Sequence, residues 1–145
     1  MRRIELDGRV VERGGQQFVS GRGTMADGWT EIHRIEPHGF ASHPIKGGKA
    51  LLLPMPRNPD MAFVLGGENP ANRPSGLPAG ATALYDAEGN IIKLMGPDVV
   101  MDFGSRTITM TGGTWNIKGD LNVDGNITAT GSIIDTTGNT NHHSH

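Results

Sequence analysis

His143 and His145 stand two residues apart in the closing run His143-Ser144-His145. In an extended strand, residues two apart point to one face, so both imidazoles share a face and Ser144 takes the other. One chain presents two imidazoles. Three chains around an axis would present six, as two rings of three. Six nitrogens suit an octahedral ion. Zinc prefers four ligands in a tetrahedron and fits poorly, whereas imidazole suits iron or nickel among the first-row ions. His142 falls in the opposite phase and reads as a solvated bystander, unless Gly138 breaks the register and exchanges the roles. His33, His38 and His43 are spaced by five, which fits neither a strand face nor a helix face, and they read as ordinary polar residues.

The elements that would position His143 and His145 have a six-residue metre. From residue 113 the chain reads GTWNIK, GDLNVD, GNITAT, GSIIDT, with glycine at 113, 119, 125 and 131. The third position of each hexad is large and apolar: Trp115, Leu121, Ile127, Ile133. The fifth reads Ile117, Val123, Ala129 and then Asp135. Six is a multiple of two, so strand alternation survives from one hexad to the next. Counting on in the same odd phase gives Thr137, Asn139, Asn141, His143 and His145. The stripe runs out of hydrocarbon and ends on the two histidines. Asp135, Thr137, Asn139 and Asn141, if they point at a shared axis, need partners, which waters or a hard cation such as calcium could supply.

Four hexads make little more than one coil of a single-chain solenoid, too little to bury a core. A flat sheet edge of this length would invite aggregation. Three copies wound around one axis would bury each stripe against its two mates. Composition agrees. Only 35% of the 145 residues are hydrophobic and 5% are aromatic, thin for a self-sufficient core, so burial is expected to come partly from partner chains. Cysteine is absent, which excludes disulfides and thiolate chemistry. The net charge is −2 with no basic run beyond Arg2-Arg3, so a nucleic-acid footprint is missing. No paired-carboxylate or Ser/His/Asp frame is recognisable, and neither catalysis nor a small-molecule substrate is expected.

The chain divides near residue 88. Eight of the nine prolines precede it, among short apolar runs at 4–11, 17–20, 29–35, 50–53, 62–65 and 83–85. Short strands spaced by turns predict a small all-β barrel or sandwich. Asp86–Ile92 reads as a hairpin turn, followed by alternating runs at 99–103 and 107–111.

The stretch Arg34-Ile35-Glu36-Pro37-His38-Gly39-Phe40-Ala41-Ser42-His43-Pro44 resembles a segment of Mu-type phage baseplate spike proteins, the baseplate assembly protein V family, as does Ala83-Leu84-Tyr85-Asp86-Ala87-Glu88-Gly89-Asn90. The hexads and the terminal His-x-His fit the same family, and the likeness covers nearly the whole chain. It implies an all-β fold in three parts: an OB-fold barrel over 1–88, an intertwined trimeric β-helix over 89–134, and a metal-binding apex over 135–145. His143 and His145 of three chains would hold one iron ion per trimer. The implied role is the central spike of a contractile tail, a virion protein made in the host cytoplasm. It would be held by baseplate hub and tail tube proteins and breach the host outer membrane. His38 stands where the family carries an aromatic, which implies a packing role. Two departures are expected. The chain opens almost directly on the first barrel strand, without a family N-terminal extension, and stops on the second histidine. The alternative reading is a trimeric fibre module binding a receptor or polysaccharide. The low aromatic content argues against it, since sugars stack on aromatic rings.

Overall fold

A computed structural model of the chain describes residues 2–23 and 27–134. It is all-β, with no helix among the described residues. Five strands close into a barrel: β1 (Arg2–Arg13), β2 (Gln16–Gly23), β3 (Gly28–Arg34), β4 (Lys49–Met55) and β5 (Asn58–Glu68). Around the barrel the order is β1-β2-β3-β5-β4, with β4 returning to β1. β3 and β5 are parallel and the other neighbours antiparallel. The five apolar runs expected between residues 4 and 65 fall on these strands.

Alternation explains the core. Ile4, Leu6, Val19, Ile32, Ala50, Leu52 and Val64 turn inward and are buried, with Val10, Trp29 and Ala62 packed against them. Full burial of a branched aliphatic side chain contributes about 1.5–3 kcal/mol, so this unit encloses its own core. The wall is tight at Gly21, which pairs with Leu6 across β1 and β2. A Cβ there would meet the Glu5 carbonyl oxygen at 2.4 Å, a contact that backbone cannot relieve. One residue earlier, the buried Ser20 hydroxyl accepts the Glu31 N–H at 3.1 Å, where the β2–β3 register shifts and Glu31 takes a φ of 52°.

Three further strands form a separate antiparallel sheet: β6 (Thr82–Tyr85), β7 (Ile91–Met95) and β8 (Asp98–Asp102), in that order. The expected boundary at residue 88 lies in the turn between β6 and β7, so β6 pairs with this sheet and not with the barrel. Leu84, Ile92 and Met101 stand in one cross-strand row, and Thr82, Leu94 and Val99 in the next. The rows share a face because successive members lie two residues apart on each strand.

Contacts divide the chain into two compact units, Met1–Ile108 and Thr109–His145. In the second, the described residues form no strand and all are exposed. The alternating run at 107–111 likewise stays outside any ladder. A strand needs a neighbour for its N–H and C=O groups, and no described segment pairs with this run. The hexad glycines do have backbone meaning. Gly119 and Gly125, one repeat apart, take φ of 139° and 150°, a conformation that residues with a Cβ rarely adopt.

Candidate functional site

His143 and His145, the proposed metal ligands, lie outside the described residues, as do Asp135, Thr137, Asn139, Asn141 and His142. Among the described residues no group of three or more His, Asp or Glu side chains is placed to hold a metal. The upstream histidines do not converge. His33, on β3, sits between Phe18 of β2 and Phe63 of β5, with ring centroids 5.5 and 5.8 Å away. The Arg13 guanidinium stacks over Phe18 at 3.9 Å from the ring centre and pairs with Glu31. His33 is therefore a packing side chain on the barrel's outer wall. His38 and His43 are exposed on the loop that follows β3.

That loop carries the segment Arg34–Pro44, and its conformation is set by Arg34. The Arg34 side chain is 7% exposed. Its Nε donates to the Gly66 carbonyl at 2.6 Å, Nη1 to Gln17 Oε1 at 2.8 Å and to the Ser42 carbonyl at 3.1 Å, and Nη2 to Ser42 Oγ at 2.9 Å. Glu36, 19% exposed, stands 2.9 Å from Nη1 and accepts the Ser42 hydroxyl at 2.8 Å. A buried guanidinium is tolerated only with its donors satisfied and a counter-charge at hand. Here β2, β5 and the loop meet those needs together. The loop is clamped across the barrel end, while Phe40 at its tip remains 63% exposed.

The second resembling segment, Ala83–Asn90, runs from the end of β6 into a turn closed by its own aspartate. Asp86 Oδ1 accepts the backbone N–H of Glu88 at 2.8 Å and of Asn90 at 3.0 Å, and Oδ2 accepts the Asn90 side-chain amide at 2.5 Å. The Asn90 amide, helped by both N–H groups, holds the Asp86 carboxyl below the ordinary value of 3.8. Between this turn and the clamped loop lies a groove of about 660 Å³, lined by Phe40, Leu84, Tyr85, Ile92 and Phe103 among others.

Two apolar surfaces are left to solvent. On the three-stranded sheet Leu84, Leu94, Val99 and Met101 are 51–66% exposed. Along the hexads Trp115, Ile117, Leu121, Val123, Ile127 and Ile133 are 43–68% exposed. Single exposed apolar residues are ordinary, but contiguous ones mark contact surfaces. The hexad stripe was legible in the sequence. The sheet face and the Arg34 clamp were not, because neither has a local signature.

Comparison with known proteins bears on the barrel. Residues 8–71 match the family described as Bacteriophage Mu Gp45, N-terminal. The matched span takes in the second half of β1, all of β2 to β5, and the Arg34–Pro44 loop. A search of curated proteins finds no match to the chain.

Proposed function

We propose that the chain, whose residues 8–71 match the family described as Bacteriophage Mu Gp45, N-terminal, is a phage baseplate protein and the central spike of a contractile tail. The observation that carries this reading is the hexad stripe: a phase-locked row of large apolar side chains that its own chain leaves 43–68% exposed. Three copies around an axis would bury the row and leave no free edge. The five-stranded barrel, in the order of an OB-fold, would be the end held by the baseplate hub and tail tube. The hexads would form a stiff trimeric β-helix ahead of it, and sheath contraction would drive that needle through the host outer membrane.

His143 and His145 are the candidate ligands of a metal at the tip. Their donor set fits: two neutral imidazoles per chain, in phase with the stripe, make six around a threefold axis, which suits an octahedral iron ion. Such an ion would tie three chain ends together and so oppose fraying. Calcium or waters could serve Asp135 and its in-phase neighbours above it. The reading assigns no catalytic step to the chain.

Sedimentation equilibrium of the full chain tests the assembly. The expected mass is three times 15.4 kDa. A stable folded monomer would remove the architecture, and with it the spike.

A further inference from the structure

The outer wall formed by β2, β1 and β4 gathers positive charge. Arg22, Glu5 and Lys49 stand in one cross-strand row, with Arg3 two residues before Glu5 on β1. Lys46 leads into a turn that Leu6 of β1 holds through Gly47 and Gly48. Each carboxylate on this wall and its rim already has a cation of its own. Glu5 pairs with Lys49, Asp7 with Arg9 at 2.7 Å, and Asp27 with Arg2 at 3.0 Å. Lys49 holds the Glu5 carboxyl below its ordinary 4.5, and Arg9 holds that of Asp7 below 3.8, so both stay ionised at neutral pH. Arg3, Arg22 and Lys46 are exposed and form no ion pair among the described residues. Six cations thus meet three carboxylates, a surplus of three. The whole chain carries −2, so everything outside this wall carries −5.

Two clefts open on the same wall, of about 320 and 440 Å³, and Glu5, Arg22 and Gly23 border both. Arg3 and Lys49 complete the first, Asp7 and Lys46 the second. We infer that this wall docks an acidic face of another baseplate protein, with carboxylate side chains of that partner entering the two clefts and Arg22 serving both. Docking here rests on the reading of the barrel as the end held by other baseplate proteins. It adds which face is held and by what chemistry. Gly23 keeps the clefts open. It has no positive φ, and a Cβ there would meet only the Arg3 carbonyl oxygen, at 3.9 Å. Neither backbone conformation nor crowding therefore demands glycine at this position.

Charge complementarity chooses the occupant. Arg22 acts on Asp7, and Lys46 on Glu5, only as distant charges, so their own donors stay free. A guanidinium fork matches a carboxylate, two donors to two oxygens. A nucleic-acid groove would line its cations up along a phosphate backbone and interleave aromatic rings for the bases. Here Glu5 and Asp7 stand among the cations and would repel that backbone, and no aromatic side chain borders either cleft. A protein face carries both signs and can meet such a mixed wall charge for charge, which fixes register as well as attraction.

Fluorescein-labelled octaglutamate, titrated with the full chain and read by anisotropy, tests the wall. The peptide should bind at low salt and be released at high salt. Arg22→Glu and Lys46→Glu should each weaken binding about fivefold or more, the size of one exposed ion pair lost and one repulsion gained. Lys118→Glu changes the net charge by the same amount in the hexads and should leave binding unchanged. Gly23→Leu keeps every charge but fills the clefts, and should weaken binding as the charge reversals do. Circular dichroism melting checks that each variant folds, and Arg22→Glu, at an exposed position, decides the matter even if Gly23→Leu does not fold. No binding by the parent, an equal loss from Lys118→Glu, or full binding by folded Gly23→Leu would each overturn the docking site. A short DNA duplex that binds the parent more tightly than the peptide would assign the wall to nucleic acid instead. Sedimentation separates this from the spike reading. A trimer that ignores the peptide refutes the wall alone, whereas a folded monomer that binds it refutes the spike and leaves an acid-binding wall.

Discussion

Leu52 on β4 is 0% exposed and Leu121 in the second hexad is 67% exposed, though each sits in an alternating stretch. The difference is where the partner surface comes from. β4 lies between β1 and β5, and the barrel closes on itself, so Leu52 meets Ile4, Val19 and Val64 of its own chain. The described hexads have no strand neighbour in their own chain. The same period-two pattern therefore builds a private core in one region and leaves an exposed apolar stripe in the other, the stripe that the proposed trimer would cover. Alternation reports which residues share a face, and it is silent on whose face they meet.

The sharpest way to break this contrast is to place charge in each stripe. Leu121→Asp in a trimer buries three carboxylates around one axis, at several kcal/mol per ion. It is expected to abolish assembly while leaving the barrel folded, read as monomer mass with retained β-sheet circular dichroism. Leu52→Asp is expected to unfold the barrel at any protein concentration. If Leu121→Asp assembles and melts like the parent, the hexads are not a shared core.

Next in size is the clamp. Arg34→Ala removes the counter-charge of Glu36 and a bond to each of Gln17, Ser42 and Gly66. Removing one partner of a buried pair typically costs about 3–5 kcal/mol, and the barrel melting temperature should fall accordingly. The same variant should leave hexad assembly intact in barrels that remain folded. Loss below 1 kcal/mol would mean that solvent replaces the guanidinium, and the loop is not held as described.

A smaller effect is expected at the tip. His143→Ala should remove the metal, at one ion per trimer in the parent, with little change in bulk melting, because the buried surface lies elsewhere. His142→Ala should leave metal content unchanged. Imidazole must be neutral to ligate, so the ion should leave as pH falls below the ordinary histidine value of ~6.5, and later still because coordination opposes protonation. Elemental analysis of both variants decides it. Metal lost in His142→Ala and kept in His143→Ala would show that the register changes at Gly138.

The smallest effect concerns the turn between β6 and β7. The folded Asp86 carboxyl titrates below 3.8, the value it regains on unfolding, chiefly because of the Asn90 amide. A depressed folded pKa contributes stability that is complete above 3.8 and lost as pH falls through the lower folded value. Asp86→Asn should therefore flatten the acid limb of turn stability below pH 3.8, followed by backbone amide exchange at Glu88 and Asn90. An unchanged acid limb would show that the turn does not depend on the carboxylate.

Five barrel strands, the 86–90 turn and the hexad stripe could be read from the residues because each has a local cause: alternation, turn chemistry, or glycine where φ is positive. Even so, β6 went to a second sheet rather than to the barrel, and nothing within Thr82–Tyr85 says which neighbour it will choose. The run at 107–111 alternates like a strand and forms none in the single chain, since propensity cannot supply the missing partner. Arg34 shows the same limit at a single residue. Its burial depends on Gln17 from β2, Gly66 from β5 and Ser42 from the loop, groups far apart in sequence and brought together only when the barrel closes.

What the chain determined by itself is periodicity and chemistry: period two in the strands, period six in the glycines, and a phase that ends on His143 and His145. Those are properties of neighbouring residues, and covalent geometry imposes them before any folding. The tertiary structure decided the pairings: the β1-β2-β3-β5-β4 closure, the Arg34 clamp, and the separate sheet β6-β7-β8. Pairing is a contest among all surfaces the chain offers, settled by which arrangement buries the most apolar area with the fewest unmet hydrogen bonds, and no local stretch of sequence contains that comparison.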